Sequence, residues 1–363
     1  MDQNEPDSPR RVEKRKNIEK LWRKGEARWR YEGEGESDHD FLLKKRSAPR
    51  KHPIVRPENE RDALVVEMGG PSVLLLDGDE EIRARPRRST TTGNPNSSLL
   101  AVGDRVRYVS AGEGDAVVTH VYPRKRVLLR TAVSDRGFAD VIVANPDRIV
   151  VVAAATNELL KPGLIDRYLI ASAMGGVDAF IVINKMDLVD DEDFSAVEEI
   201  ADVYRDVGYT VLYTSCVTGE GIEELGNLLR DAISAFCGHS GVGKTSLLNR
   251  LVPSASGKTD TISVQSSRGT HTTTKSVLYA LPNGGYIADT PGIREFGLYH
   301  FDPADLHTYY PEFVARADRC RFPSCTHTHE PDCAVIAAVA EGAIHPLRYR
   351  NYLQILDSER EER

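Results

Sequence analysis

The sequence predicts a multidomain α/β protein with a small β-barrel, a central α/β domain built on a parallel sheet, and a small helical metal-binding domain. Three observations support this fold class. Short strands separated by Gly-rich or polar turns fill residues 61–130, strand and helix patterns alternate after residue 145, and three of the five cysteines cluster near the C-terminal end. We place the domain boundaries at residues 1–60, 61–144, 145–300 and 301–363, since a chain of 363 residues has room for two or three cores.

Composition restricts the class of protein. A hydrophobic content of 40% with 28% charged residues is typical of a soluble globular chain. The N-terminus is polar, and no apolar run is long enough to span a bilayer, so we expect a cytoplasmic protein without a membrane partner. The formal net charge of −8 argues against nucleic-acid binding over the whole surface. We expect a monomer.

The first segment, residues 1–60, has no sustained apolar period and many charges, which predicts disorder. Residues 10–30 form a basic arm in which Trp22 and Trp29 are interleaved, with Tyr31 just beyond it. Such aromatic side chains can stack on unpaired bases while lysines and arginines meet phosphates. A solvated tail or a short surface helix explains the arm equally well.

The barrel is predicted from five short strands at residues 63–66, 72–76, 104–109, 115–118 and 126–130. Five strands of this length suit an OB-fold, a scaffold that often binds oligonucleotides. Residues 83–88 and 123–126 add local positive charge, on which the prediction of RNA binding by the barrel rests; a plain structural module is the alternative.

The α/β domain is predicted from apolar strands at 148–153, 179–183, 209–213 and 234–237. Helical patterns lie between them at 164–173, 194–207 and 222–232. This βαβ series predicts a parallel sheet that binds its ligand at the edge where the strands end.

Residues 238–245 read GHSGVGKT and fit the phosphate-binding loop G-x-x-x-x-G-K-[ST], between a predicted strand and a predicted helix. The glycines let backbone N–H groups turn toward phosphate oxygens at a helix N-terminus. Lys244 can reach the terminal phosphates, and the Thr245 hydroxyl can ligate magnesium. The alternative is a glycine-rich turn without a ligand, and the fitting context on both sides favours a nucleoside triphosphate.

Residues 184–187, NKMD, follow the strand at 179–183 and indicate guanine. Asp187 can accept hydrogen bonds from the guanine ring N–H and amino group, whereas adenine offers no such pair. Asn184 and Lys185 would hold the loop and lie against the base. The next strand is followed by Ser215 and Cys216, whose small-residue turn can contact the guanine oxygen.

Residues 289–292, DTPG, supply the remaining phosphate contacts. Asp289 can hold magnesium through water, and the Gly292 N–H can meet the γ-phosphate. Upstream, GTHTTT at 269–274 predicts a switch whose Thr273 or Thr272 completes the magnesium shell.

Ile293 occupies the position of the water-orienting glutamine of Ras-like GTPases and cannot take its role. His271 is the local substitute, because a neutral imidazole can accept a hydrogen bond from water. The alternative is that His271 only packs within its loop.

The motif order indicates a circularly permuted P-loop GTPase domain. The guanine motifs at 184–187 and 214–216 precede the phosphate loop, and 289–292 comes last. A fold tolerates this rearrangement when its original termini lie close together. The second switch then runs directly into the C-terminal domain.

The C-terminal cysteines have the spacing C-x4-C-x-H-x5-C. Cys320, Cys325, Cys333 and His327 match a closed tetrahedral zinc site, with His329 as the rival fourth ligand. A structural role follows, because no coordination position remains for water. A helical pattern at 344–356 closes the domain, and it carries Arg348 and Arg350 as candidate RNA contacts.

These motifs together resemble those of the small ribosomal subunit-dependent GTPases called RsgA or YjeQ. The similarity covers residues 61–356 and includes the permuted order, GHSGVGKT, GTHTTT, DTPGIREF at 289–296 and the cysteine spacing. Two departures are the longer segment 1–60 and residues 83–91, which replace a Cys- and Gly-containing barrel strand.

The resemblance implies an OB-fold, a permuted GTPase domain and a zinc domain that act in late maturation of the small (30S) ribosomal subunit and its rRNA, with hydrolysis stimulated by that subunit. It also implies His271 as the catalytic residue and the zinc ligands Cys320, Cys325, His327 and Cys333. The expected cofactors are one structural Zn²⁺ and Mg²⁺ with GTP. The expected nucleotide and magnesium contacts are Asn184, Lys185, Asp187, Ser215, Cys216, Gly238, His239, Ser240, Gly241, Val242, Gly243, Lys244, Thr245, Ser246, Thr273, Asp289 and Gly292.

The main hypothesis is a GTPase that uses hydrolysis to leave the matured subunit. Two alternative functions have to be distinguished from it. One is an assembly factor whose RNA binding responds to the nucleotide while hydrolysis is incidental. The other is an ATP-dependent kinase or transporter ATPase, which the guanine motif disfavours.

Overall fold

The structure is a computed structural model that describes residues 59–94, 97–112, 115–129, 141–156, 158, 160–253, 275–290 and 302–361. The strands are β1 (Glu60–Gly69), β2 (Ser72–Asp77), β3 (Glu80–Thr92), β4 (Arg105–Gly112), β5 (Asp115–Val121), β6 (Val127–Leu129), β7 (Val141–Ala144), β8 (Arg148–Ala154), β9 (Asp178–Asn184), β10 (Val211–Thr214), β11 (Ile233–Cys237), β12 (Ser276–Ala280) and β13 (Tyr286–Asp289). The helices are α1 (Pro162–Met174), α2 (Asp191–Arg205), α3 (Ile222–Leu228), α4 (Lys244–Leu251), α5 (Pro311–Ala317), α6 (Ala334–Ala340) and α7 (Pro346–Glu361), with 3-10 turns at Met186–Leu188 and Pro303–Tyr309.

Strands β1 to β5 form a closed barrel in the order β1-β2-β3-β5-β4, and β4 pairs back onto β1. Only the β3–β5 pair is parallel within this barrel. Inward-facing apolar side chains such as Val65, Leu75 and Val118 are completely buried and form its core. The predicted OB-like barrel is therefore confirmed.

One predicted barrel strand is wrong, and one real strand was missed. Val127–Leu129 forms β6, which pairs only with β7 and lies outside the barrel. The fifth barrel strand is β3, Glu80–Thr92, whose buried Ile82 and Ala84 alternate with exposed arginines. The charged side chains conceal the alternation of a half-buried strand in this segment.

Two of the three basic side chains at residues 123–126 form ion pairs within the protein. The Arg124 side chain is buried, and its guanidinium donates to both carboxylate oxygens of Asp104 at 2.8 and 2.7 Å. Arg126 pairs with Asp147 at 2.5 Å. Arg124 is therefore removed from the predicted basic patch, because a side chain paired with a buried carboxylate does not meet a phosphate, whereas Lys125 is exposed.

The central α/β domain contains the strand order β10-β9-β8-β11-β13-β12. The first five strands run parallel, and β12 is antiparallel to β13. Continuous apolar runs form β8 and β9 because both faces of the sheet are covered by helices. The predicted βαβ series is confirmed, although α3 is shorter than its predicted pattern.

The barrel and the α/β sheet are joined through their strands. The last residues of β1 pair with the first residues of β12, so that Glu67 faces Val277 and Met68 faces Ser276. Lys275 and Glu67 form an ion pair at 2.8 Å beside this junction. A single sheet of 11 strands therefore runs from the α/β domain into the barrel.

The C-terminal helices pack on the α/β domain around a buried ionic group that we call the interface triad, Arg348, Asp166 and Glu312. The Arg348 side chain on α7 is 2% exposed and contacts Asp166 of α1 and, at 2.7 Å, Glu312 of α5. Its guanidinium also lies 4.5 Å from the centre of the Tyr310 ring. The prediction that Arg348 faces RNA is wrong, because its side chain is buried in this interface and paired with Asp166 and Glu312. Arg350, the other candidate RNA contact, is exposed.

No helix in the described ranges combines the length and apolar character needed to cross a membrane. The basic arm at residues 10–30 and the switch at 269–274 lie outside the described residues.

Candidate functional site

The predicted nucleotide motifs converge at one edge of the α/β sheet. Strands β8, β9, β10, β11 and β13 are parallel, so their carboxyl ends meet there. Asn184 ends β9, Thr214 ends β10 and Asp289 ends β13, while β11 runs into the phosphate loop. This is the edge at which open α/β sheets bind ligands.

The phosphate loop, residues 238–245, passes very close to its neighbours. Gly238 has φ +142°, and a Cβ there would lie 2.1 Å from the Val152 carbonyl oxygen. Gly243 has φ +99°, and a Cβ there would lie 2.2 Å from the Asn184 side-chain nitrogen. Only glycine fits both positions, which explains two of the motif's glycines in physical terms.

Lys244 begins α4, and its ammonium group turns back into the loop. It donates hydrogen bonds of 2.7 Å to the carbonyl oxygens of Gly238 and His239. These bonds place the positive charge within the loop where phosphate oxygens would lie. Thr245 and Ser246 follow on the exposed first turn of α4.

Asn184 ties the phosphate loop to the guanine motifs. It is 1% exposed, and its side-chain amide donates to the Val242 carbonyl oxygen at 2.9 Å. Its Oδ1 accepts a hydrogen bond of 3.0 Å from the Thr214 hydroxyl. These two hydrogen bonds join Asn184 to the phosphate loop and to the end of β10.

Asp187 and Ser215, which the sequence predicts to contact the base, lie together at this edge. The buried Ser215 donates its hydroxyl to Asp187 Oδ1 at 2.5 Å, and this leaves the other oxygen of the exposed Asp187 carboxylate available. Lys185 has φ 66°, a left-handed conformation that turns the chain between Asn184 and Asp187.

Cys216 follows Ser215 in the turn that we call the base loop, residues 215–220. Burial raises the pKa of its thiol, which is therefore neutral at physiological pH and donates weakly toward Asn184 Oδ1 at 3.9 Å. The thiol is thus directed toward Asn184, and the backbone is the part of Cys216 left to meet a base.

Asp289 ends β13 half-buried, and Thr290 after it is buried. Their position places Asp289 at the same edge as Lys244 and Asn184. Of the remaining predicted residues, His271, Thr272, Thr273, Gly292 and Ile293 lie outside the described residues.

The predicted metal ligands form a compact group, the metal cluster of Cys320, Cys325, His327 and Cys333. Their four ligand atoms lie within 4.8 Å of one another. His327 Nδ1 is 3.6 Å from Cys320 Sγ and 3.4 Å from Cys333 Sγ, and the two sulfurs are 3.9 Å apart. A tetrahedral zinc with bonds of about 2.3 Å to sulfur has sulfur–sulfur edges of about 3.8 Å, so this donor set fits zinc.

His329 is not in the metal cluster. Its exposed ring accepts or donates a hydrogen bond of 2.7 Å with the Thr328 hydroxyl. The geometry therefore favours His327 over His329, the alternative that the spacing alone left open.

Glu330 shapes the loop that carries His327. Burial alone would raise the pKa of Glu330, but hydrogen bonds from the Thr326 hydroxyl and from the N–H groups of Thr326 and Thr328 outweigh it and hold that pKa well below its usual range. Tyr349 of α7 donates to the His327 carbonyl oxygen at 2.9 Å. The metal loop is therefore held on the same helix that carries Arg348.

Comparison with known proteins agrees with this arrangement. A family model described as RsgA GTPase matches residues 121–299. The small ribosomal subunit biogenesis GTPase RsgA of Chlorobaculum tepidum is 42% identical over 304 residues, covering 81% of this chain and 97% of the relative. The protein of the same name from Pseudomonas putida is 41% identical over 263 residues, covering 72% of this chain and 76% of the relative.

Solved structures give the same fold. The crystal structure of YjeQ from Thermotoga maritima matches with a TM-score of 0.67 and 31% identity, covering 82% of this chain and 98% of that one. YloQ, described as a circularly permuted GTPase, matches with a TM-score of 0.66 at 23% identity, covering 87% of this chain and 99% of that one, and supports the fold alone. The permuted motif order read from the sequence is confirmed, and the chain belongs to the RsgA family of GTPases and is a GTP hydrolase.

Proposed function

We propose that this GTPase acts in ribosome biogenesis: it binds the small ribosomal subunit and its rRNA, and couples GTP hydrolysis to late subunit maturation and its own release. The observation that carries the proposal is the 42% identity along 81% of the chain to a relative named as a small ribosomal subunit biogenesis GTPase. The convergence of the phosphate and guanine motifs at one sheet edge supports the nucleotide part independently.

In the proposed nucleotide site, backbone N–H groups of residues 238–243 surround the phosphates and Lys244 neutralises their charge. Asp187 receives the two guanine donors, and the base loop receives the guanine oxygen. Magnesium, when bound with GTP, neutralises charge that develops on the phosphates, and Thr245, Thr273 and Asp289 are the residues that would hold it. The Gly292 N–H would meet the γ-phosphate.

His271 is the proposed catalytic residue. Ile293 has no hydrogen-bonding side chain, so the attacking water needs another acceptor near the γ-phosphate. A neutral imidazole at residue 271 supplies it. His271→Ala is then expected to lower subunit-stimulated turnover by roughly 10²- to 10⁴-fold, the usual contribution of a general base, while GTP affinity is unchanged.

The proposed RNA contact on the barrel is the arginine stripe, Arg83, Arg85 and Arg87. These exposed side chains lie on the outer face of β3, whereas Ile82 and Ala84, which alternate with Arg83 and Arg85, are buried in the core. None of the three arginines forms an ion pair with another residue in the described ranges. Unpaired guanidinium groups at alternate strand positions can meet successive phosphates of a strand of RNA.

The zinc, held by the metal cluster, is proposed to be structural. All four protein ligands are present, so no position is open for a reacting water. The ion would stabilise residues 302–361, which contain only short helices before α7.

Phosphate release from GTP and ATP, with and without purified small ribosomal subunits, tests the function. We expect the protein to hydrolyse GTP and not ATP. The rate of GTP hydrolysis should rise at least about tenfold when the subunit is added. Turnover indifferent to the subunit would retain the GTPase and remove its proposed partner. Tighter subunit binding with GTP than with GDP is also required, since only a difference in affinity can couple hydrolysis to release.

The arginine stripe has its own test. Changing Arg83, Arg85 and Arg87 to Gln is expected to weaken subunit binding and to lower the slope of log K against log salt by about 2 to 3. The same three positions changed to Lys keep the charge and should restore most of the binding. An unchanged salt slope in the Gln variant would remove the stripe from the interface.

A further inference from the structure

The base loop determines its own shape through internal hydrogen bonds. The Ser215 hydroxyl oxygen accepts from the N–H groups of Val217 and Thr218 at 3.1 Å each. Backbone bonds join Gly219 to Ser215 at 2.9 Å and Ser215 to Glu220 at 3.0 Å. This turn is compact, but its placement against a nucleotide depends on contacts with the rest of the domain.

Arg250, on the last turn of α4, makes such a contact. Its Nε donates to the Cys216 carbonyl oxygen at 2.7 Å, and its Nη2 donates to the same oxygen. Nη2 also lies 3.3 Å from the Val217 carbonyl oxygen. One charged fork thus holds two successive carbonyl groups of the base loop.

The backbone N–H of Cys216 takes no part in these hydrogen bonds. No hydrogen bond among the described residues uses the Cys216 N–H as donor. The Cys216 N–H can therefore donate to a ligand, while the Cys216 carbonyl oxygen is held by Arg250.

Arg250 and Lys244 lie at opposite ends of the same short helix, α4 (Lys244–Leu251). Lys244 is bonded within the phosphate loop, and Arg250 is bonded to the base loop. The helix therefore connects the phosphate end of the nucleotide site to its base end.

We propose that Arg250 is a positioning residue for guanine specificity: it holds the Cys216 peptide so that the Cys216 N–H meets the guanine carbonyl oxygen. This inference rests on the proposed guanine site and adds to it a residue that no guanine motif contains. The expected energetic role is modest, because Arg250 is exposed and each of its hydrogen bonds competes with water.

Three nucleotides separate positioning from general stability. GDP has the carbonyl oxygen and both donors to Asp187. IDP lacks only the amino group, whereas 6-thio-GDP keeps both donors and replaces the oxygen with sulfur, a weak acceptor. Dissociation constants of the full-length protein for all three would be measured by calorimetry, with ADP as the reference for guanine preference.

Arg250→Ala is expected to weaken binding of GDP and of IDP by about 5- to 10-fold, and binding of 6-thio-GDP by less than 2-fold. Arg250→Lys keeps one charged donor and should recover part of the loss. The matched control is Arg230→Ala, since Arg230 is also exposed and, among the described residues, its guanidinium donates to the Asn227 side chain of the preceding helix α3 and not to the base loop. The control should bind all three nucleotides like the parent.

An equal loss for GDP, IDP and 6-thio-GDP would overturn the proposal, because it would show a general structural role. No loss for any of them would also overturn it. If the parent protein binds ADP as tightly as GDP, the guanine site itself is wrong, and that failure is visible without any Arg250 variant. The result does not depend on ribosomal subunits, so it is separate from the partner proposal.

Discussion

The GTPase domain meets its two neighbours through junctions of opposite character. At the C-terminal junction, the interface triad buries a guanidinium between Asp166 and Glu312, and Asn351 adds a hydrogen bond of 2.7 Å to Asp166. At the barrel junction, two residue pairs of β1 and β12 share a backbone ladder, beside an ion pair in which Lys275 is 57% exposed.

The two junctions differ in the kind of interaction that holds the C-terminal domain and the barrel to the GTPase domain. Removing one partner of a buried ion group leaves uncompensated charge, which is costly, whereas an exposed ion pair is screened by water. A ladder of backbone bonds tolerates many side chains. The C-terminal domain is therefore fixed by particular residues, and the barrel by the continuity of a sheet.

Among the changes that test these two junctions, removal of the metal should have the largest effect on folding. A strong chelator is expected to abolish the folded structure of residues 302–361 and to free α7 from α1, since structural zinc contributes about 10–16 kcal/mol in small domains. Hydrogen exchange would show loss of protection there, while β1 to β5 stay protected. Retained protection in α7 after complete metal removal would contradict a structural zinc.

Arg348→Ala is expected to come next, with a loss of about 3–5 kcal/mol in the free energy of unfolding, because Asp166 and Glu312 remain buried without a counter-charge. Denaturant unfolding measures the loss. Arg350→Ala, an exposed neighbour on the same helix, is the control and should change stability by less than about 0.5 kcal/mol. Equal effects of the two variants would show that the triad does not hold the interface.

The Lys275–Glu67 pair should have the smallest effect. A double-mutant cycle with Lys275→Ala and Glu67→Ala is expected to give a coupling of about 0.2–1 kcal/mol that falls as salt rises. A coupling comparable to the loss in Arg348→Ala would erase the distinction between the two junctions.

The local motifs were predictable because each one is contiguous in sequence. The chemistry of each motif can be recognised within a few positions: the phosphate loop, residues 184–187 and the cysteine spacing. The parallel sheet then brings the phosphate loop and residues 184–187 together at one edge. The strand β3 was missed because arginines occupy its outer face, although Ile82 and Ala84 follow the period of a half-buried strand.

Other features were beyond reach because they join residues far apart in the chain. Nothing near Arg348 signals a partner at Asp166, and nothing near Arg250 signals the Cys216 carbonyl. A sequence shows the same residue type whether an arginine is buried in an ionic group, hydrogen-bonded to a loop or exposed to RNA. Its role depends on tertiary contacts, so the RNA interpretation of Arg348 and Arg124 was wrong while the stripe on β3 remains exposed.

The edge of β1 that faces away from β2 serves two different strands in succession. Residues Glu60 to Leu64 pair with β4 and close the barrel, and Glu67 and Met68 pair with β12. Between them, the pairing of β1 with β2 shifts register between Val65 and Glu67. The two partners therefore compete for a limited length of one edge: β12 cannot extend its ladder along β1 beyond the shift without displacing β4. Because β12 and β1 are antiparallel, extension toward β4 would use residues 278–280, at the end of β12 away from the predicted switch, so a change of pairing at the switch end of β12 does not require β4 to leave β1.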